Sequence, residues 1–241
     1  MGFVNNLKVV CLYCLASRQG RSHAARMEKL YGRRSAEFDA VHHRTMPGRK
    51  ELFENLPTPV GGVWIDLGAG TGFNLEHLGE RLAQLAKVYL VEASPSMREI
   101  ARQRVERHGW KNVEIVDADA LSFVPALASA DVVTLAYSLA MIQPWFAALE
   151  HAHKLLRPGG CVGVVEYYVS AKHAPTGFVQ HNWLTRHLSI ALHHFWEVHP
   201  DQNHVPYLHA HFGVQHFTEA SIRTLMPGLQ FPYFVFIGKK D

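Results

Sequence analysis

The chain has 241 residues, of which 48% are hydrophobic and 19% charged. That length and apolar content allow one large domain, or one domain with an extension, and exclude a disordered or low-complexity chain. The formal net charge of +3 is unevenly placed: residues 1–50 hold ten Lys/Arg against three Asp/Glu, a balance of +7, while residues 51–241 hold fourteen against eighteen, a balance of −4. A basic arm on a mildly acidic body suits an anionic partner, whether a membrane surface or a nucleic acid, and a solvated face is the plain alternative.

Three cysteines give no disulfide framework and suit a reducing compartment, so the expected location is cytoplasmic. Cys11 and Cys14 form a CxxC that lacks the second ligand pair a zinc site needs and the helix start a redox motif needs. The apolar run 7–16 is too short for the roughly 20 residues of a membrane span, and Lys8 interrupts it. Gly2 is followed at position 6 by Asn5's neighbour Asn6, where myristoylation requires Ser or Thr.

Residues 20–62 read as two or three short helices without a strand, so a helical, basic extension is expected over 1–62. From residue 63 short apolar runs alternate with helix-length segments, the pattern of a parallel sheet with crossover helices. Strands are expected at "VWIDLG" (63–68), "KVYLVEA" (87–93), "VEIVDAD" (113–119), "DVVTLAYSL" (131–139) and "CVGVVEYYV" (161–169). The helix "PSMREIARQRVERHG" has Ser94 as N-cap, Pro95 in its first turn and Gly109 as its stop. Pro144 opens the next helix, and "RPGG" at 157–160 closes it by a turn into the fifth strand. The core is therefore α/β and Rossmann-like over about 63–170, with helices on both faces. Residues 170–212, rich in His and aromatics, form a helical or irregular insertion after strand five. "TEASIRTLM" (218–226) is expected as a last helix and "FPYFVFIGKK" (231–240) as a final strand. Residues 63–241 are thus one domain.

Strand one runs into a GxGxG turn, Gly68, Gly70 and Gly72, and the place of the distal glycine of a dinucleotide GxGxxG is Phe73. Asp66 ends strand one and Glu92 ends strand two, where a carboxylate can take both hydroxyls of a ribose. Glycines that admit a ligand without a pyrophosphate, beside a ribose acceptor, fit an adenosyl compound with a cationic middle.

"DLGAGTG", "VEAS", "DADAL" and "LLRPGG", in that order along the sheet, together resemble class I S-adenosylmethionine-dependent methyltransferases. The resemblance implies S-adenosyl-L-methionine as cofactor, with Gly68, Gly70 and Gly72 along its methionine part and Glu92 on the ribose. Asp119 and Ala120 would border the adenine, Asp117 being the competing carboxylate there, and Tyr137 and Ser138 would face the methyl. Asp66, Asn74 and Ala93 complete the cofactor set. Tyr31 resembles the aromatic that closes over the cofactor from the N-terminal helices, and Arg49 would lie near the methionine carboxylate.

The flanks, "RMEKLYGRRSAEFDAVHHRTMPGRKELFENL" and "HVPYLHAHFGVQHF…FPYFVFIGKK", with "YSLAMIQPWFAALEHAHKLLRPGG" between, resemble diacylglyceryl-homoserine N-methyltransferases of betaine-lipid synthesis over 20–240. That resemblance implies a membrane lipid with an amine headgroup as substrate, an anionic membrane surface as partner, and room for the enzyme that forms the homoserine lipid. Alternatives are methylation of phosphatidylethanolamine, of a quinone- or sterol-type small molecule, or of RNA. The RNA reading lacks an aromatic-glycine RNA motif, a zinc knuckle and a polar "NPPY"-type end to strand four, so no nucleic-acid partner is expected. A quaternary ammonium is stabilised by aromatic faces by about 0.5–2 kcal/mol each, which makes Tyr137, Trp145, Tyr167, Tyr168 and Tyr207 cage candidates. Among the crowded His193, His194, His199, His204, His209, His211 and His216 no metal spacing occurs, so no metal is expected; His204, His209 and His211 are candidates to take the amine's proton.

Overall fold

The computed structural model describes residues 46–126 and 129–241. The expectations for Tyr31, for the CxxC pair and for the basic arm up to residue 45 lie outside those residues. The first described helix, α1 (Arg49–Asn55), starts after Gly48 and places Leu52 and Phe53 against the sheet, with Phe53 stacked on Trp64 at 5.6 Å. Its Glu51 accepts hydrogen bonds from His216 and Thr218, which ties it to the far edge of the sheet.

The strands β1 (Val63–Leu67), β2 (Lys87–Val91), β3 (Val113–Val116), β4 (Ala130–Ala136), β5 (Leu156–Tyr167), β6 (Gly213–Arg223) and β7 (Gln230–Lys239) form one sheet in the order β3-β2-β1-β4-β5-β7-β6. β1 to β5 run parallel, and β7 is antiparallel to both β5 and β6. Alternate residues enter two cores, one on each face. Ile65, Tyr89, Val133, Val164 and Phe236 face the first, while Trp64, Leu90, Val132, Val165 and Val235 face the second. Near-continuous apolar strands of this kind are what a sheet covered on both sides requires.

α2 (Pro95–His108) carries the expected caps: Ser94 Oγ accepts from Met97 N, and Gly109 ends the helix in the left-handed region. α3 (Trp145–Leu155) follows Pro144, as expected. "RPGG" lies inside β5, where the register slips between the pairs Ala130–Leu156 and Val132–Cys161; the turn is taken up as a bulge. The insertion holds α4 (Trp183–His194) and α5 (His204–His211) joined by irregular segments. Among the described residues no helix is long and apolar enough to cross a membrane.

The helix expected at 218–226 is absent. Those residues are strand β6 up to Arg223, followed by a turn, because β7 offers an open edge that β6 pairs from Gly213–Lys239 to Arg223–Gln230. Phe217 then packs on the first core and Ile222 on the second, so the alternation of a strand satisfies both faces and overrides the local helical pattern.

Candidate functional site

The chain moves outward from β1 to β2 and β3 and returns beside β1 as β4, which opens a crevice at the carboxyl ends of β1 and β4. A cleft lies there, and it gathers residues from the glycine turn, the end of β2, the loop after β3, the end of β4 and the segment after α4. Of the residues expected at a cofactor site, Arg49, Gly68, Gly70, Asn74, Glu92, Ala93, Asp119, Ala120, Tyr137 and Ser138 line it.

The turn is held in shape from both sides. Gly68 N and Ala69 N both donate to Val91 O, and a Cβ on Gly68 would fall 2.6 Å from Ser138 Cβ. Ser138 Oγ in turn donates to Leu67 O at 2.7 Å. Arg104 of α2 donates to Thr71 O and, at 2.8 Å, to Glu76. Arg98 donates to Glu92 O, Ala93 O and Asp117, so one buried guanidinium fixes the end of β2. The sequence signal for both arginines is their place beside Met97 and Ala101 on the buried face of α2.

Glu92 Oε2 accepts from Gly70 N at 2.9 Å and Oε1 from Ser94 N at 2.8 Å. Each oxygen keeps a further lone pair for a ligand's hydroxyls. Burial pushes the Glu92 carboxyl above its ordinary range, while the two amides and Arg98 oppose the shift. Gly70 is left-handed at φ 57, and a Cβ built on it meets no atom within 4 Å, so the space beside it is open. A glycine cradle beside a carboxylate poised for a ribose fits S-adenosylmethionine. Gly70→Ala is expected to cost about 1–2 kcal/mol of stability for the left-handed backbone and to weaken cofactor binding by filling that space; thermal melting with calorimetric titration checks both.

Of the two carboxylates of "DAD", Asp119 lines the cleft, with Oδ1 accepting from Leu121 N, and Asp117 turns to Arg98 at 2.7 Å. Asp66 sits behind the turn and out of the cleft. Thr134 Oγ1 donates to it at 2.7 Å and Asn74 Nδ2 at 3.4 Å, and burial raises its carboxyl to about 6. Gly72 packs beneath the turn against Leu90 and Ala101. Tyr137 occupies the left-handed region at φ 57, donates to Pro47 O at 2.7 Å, and has the Arg49 guanidinium 5.4 Å from its ring.

The expected aromatic cage and its bases do not gather here. Of the five candidates, Tyr137 alone lines the cleft; Tyr167 packs behind it at 4.8 Å and Tyr168 bonds to Glu219. His204, His209 and Tyr207 are on α5, which packs with Trp145 of α3 on the first core, whereas Tyr137 belongs to the second. His204 is fully buried 4.9 Å from Trp145, and burial lowers its imidazole to about 4. His209 is wedged among Phe178, Phe217 and Phe236, and Tyr207 stacks on His211 at 3.9 Å. Their place is set by packing, which a run of His and aromatics on a helix does not distinguish from chemistry. The cleft instead takes His199 and Glu197 from the segment after α4, together with Met46, Phe73, Met97, Met141, Ile142 and Gln143. In the sequence nothing sets His199 apart from the histidines around it.

Residues 65–160 match the family described as a methyltransferase domain. The chain is 24% identical over 158 residues to a demethylmenaquinone methyltransferase of Lactococcus lactis, covering 64% of this chain and 63% of that protein. It is 27% identical over 152 residues to a ubiquinone/menaquinone biosynthesis C-methyltransferase, UbiE, of Hahella chejuensis, covering 61% and 60%. The chain thus spans a little under two thirds of the length of these relatives. Among solved structures, a phosphoethanolamine N-methyltransferase 2 of Haemonchus contortus aligns with TM-score 0.70 at 13% identity, over 92% of this chain and 60% of that one. A SAM-dependent methyltransferase of Aquifex aeolicus aligns with TM-score 0.59 at 16% identity, over 87% and 98%.

Proposed function

We propose that this chain, which carries an S-adenosylmethionine-dependent methyltransferase domain on a class I methyltransferase fold, methylates a lipid-soluble acceptor, and that a quinol-type aromatic diol is the acceptor it takes. The observation that carries this reading is the wall of the cleft left over by the cofactor residues. Met46, Tyr137, Met141 and Ile142 make it apolar, with Glu197 and His199 as its titratable groups. The names of the curated relatives point the same way.

When bound, the cofactor supplies an electrophilic methyl whose transfer leaves a thioether and requires the acceptor to shed one proton. Glu92 would hold the ribose and the glycine turn the methionine part, while the apolar wall excludes water and orients a flat ring against Tyr137. His199 is placed to take a proton from a ring hydroxyl. The resulting phenolate makes a ring carbon nucleophilic; that carbon would form the new bond as the bond between methyl and sulfur breaks, then release its own hydrogen to solvent as the one net proton, which restores the aromatic ring, while the protonated His199 returns its proton to the ring oxygen.

A second reading is the amine of diacylglyceryl-homoserine, favoured by the Glu197 carboxylate and the Tyr137 ring at the same wall, a pairing suited to a growing ammonium. Phosphatidylethanolamine would use the same groups. Purified protein given S-adenosylmethionine with a demethylated quinol, diacylglyceryl-homoserine, phosphatidylethanolamine or transfer RNA decides among them by mass spectrometry. The expected result is a single methyl increment on the quinol, with His199→Gln lowering turnover and leaving cofactor affinity in place. Up to three increments on the homoserine lipid, with an unchanged quinol, would establish the second reading instead.

A further inference from the structure

The turn between β6 and β7 is clamped to the start of α4. Asn182 Nδ2 donates to Gly228 O at 2.8 Å, Thr185 Oγ1 donates to the same oxygen at 3.2 Å, and Gln230 N donates to Thr185 Oγ1. Two segments distant in sequence therefore share one rigid edge. On it Trp183 is 70% exposed, Leu225 81% and Met226 49%, a concentration of large apolar side chains facing water that a soluble surface does not need. Residues 167–196 and 220–240 contain no Asp or Glu, while Arg186, Arg223 and Lys172 lie within them. Of the acids that flank these stretches, Glu166 is buried, Glu197 lines the cleft, and Glu219 takes the Tyr168 hydroxyl and Val179 N.

We propose that this edge docks the enzyme on an anionic membrane surface, with Trp183, Leu225 and Met226 entering the boundary between headgroups and acyl chains and the basic residues facing the phosphates. An apolar tip carried on segments that hold Arg186 and the exposed Arg223 and no carboxylate is complementary to such a surface, because apolar burial and surface potential then act together. Tryptophan, apolar in body with one polar N–H, is the side chain that prefers that depth. α4 leads from this edge straight to Glu197 and His199, and its His193 packs on Tyr167, which packs on Tyr137. The docked edge is thereby linked through α4 to the wall of the cleft.

The test uses the full chain and vesicles of phosphatidylcholine with or without phosphatidylglycerol, and requires no methyl acceptor, so its outcome is separate from that of the acceptor assay. Wild type is expected to co-sediment with the anionic vesicles and to lose them at high salt. Trp183→Ser with Leu225→Ser is expected to weaken partitioning about tenfold, and Arg223→Glu to weaken it on anionic vesicles only. Titration with S-adenosylhomocysteine should be unchanged in these variants, which shows that they fold. Acyl chains brominated near the headgroup should quench tryptophan emission of wild type and much less that of Trp183→Phe. Undiminished binding and quenching in the variants, or binding to RNA in place of vesicles, would overturn the proposal.

Discussion

Glu92→Ala is expected to weaken binding of S-adenosylmethionine and of its demethylated product ten- to a hundredfold while leaving the fold intact. Both oxygens of this carboxylate are anchored by backbone amides, from Gly70 and Ser94. A ribose diol placed there gains hydrogen bonds to an ionised acceptor, worth about 1.5–3 kcal/mol each, and a tenfold change in affinity corresponds to about 1.4 kcal/mol. Alanine also frees the Gly70 and Ser94 amides, so the turn loses its link to the end of β2. Asp119→Ala should cost less, because Asp119 is exposed and its Oδ1 is already engaged by Leu121 N. Calorimetric titration of the two variants checks the order; equal affinity of wild type and Glu92→Ala would remove the ribose assignment.

What the sequence disclosed about this site follows from how local the constraint is. Gly68, Gly70 and Glu92 are legible because the tight turn and the end of β2 impose residue types within a few positions of one another. Asp119 is separated from Asp117 only by the salt bridge of the latter to Arg98, a contact between a helix and a loop that no spacing in "DAD" reveals. The acceptor wall is less legible still. Glu197 and His199 reach the cleft because His193 of α4 packs on Tyr167 and Phe231 and Val198 enters the second core, and the same His-rich composition a few residues further on sends His204 and His209 towards the first. Periodicity registers that a residue is inward, and the choice between the two sides of the sheet is made by the whole fold. β6 is the same case at the level of an element. Its residues suit a helix in isolation, and the ten paired positions offered by β7 make it a strand.

The buried carboxyls predict an inverted dependence of stability on pH, and Glu166→Gln should expose it. Glu166 is 1% exposed; its Oε2 accepts from Ala140 N and its Oε1 from Tyr167 N, both at short range. Burial outweighs these amides and the charge of Arg49, and raises the carboxyl to about 7 from an ordinary 4.5. The folded protein thus keeps a proton that the unfolded chain has released. Its contribution to stability is complete below pH 4.5 and is lost as pH rises through about 7, a change on the order of 3 kcal/mol at 1.36 kcal/mol per unit of pKa. Asp66, raised by burial from 3.8 to about 6 despite Thr134, Asn74 and Arg49, adds a loss of the same sign between those values. Glutamine at 166 removes the first term: it cannot ionise, although its amide group can accept from only one of the two backbone donors. The variant therefore starts less stable at pH 4.5 and gains on wild type by about 3 kcal/mol by pH 8, while the Asp66 slope below pH 6 persists in both. Urea unfolding of the two proteins at pH 4.5, 6 and 8 reads this directly. A stability difference that stays constant across the three would show that Glu166 is already ionised in the folded protein at pH 4.5, with Arg49 and the two amides outweighing its burial.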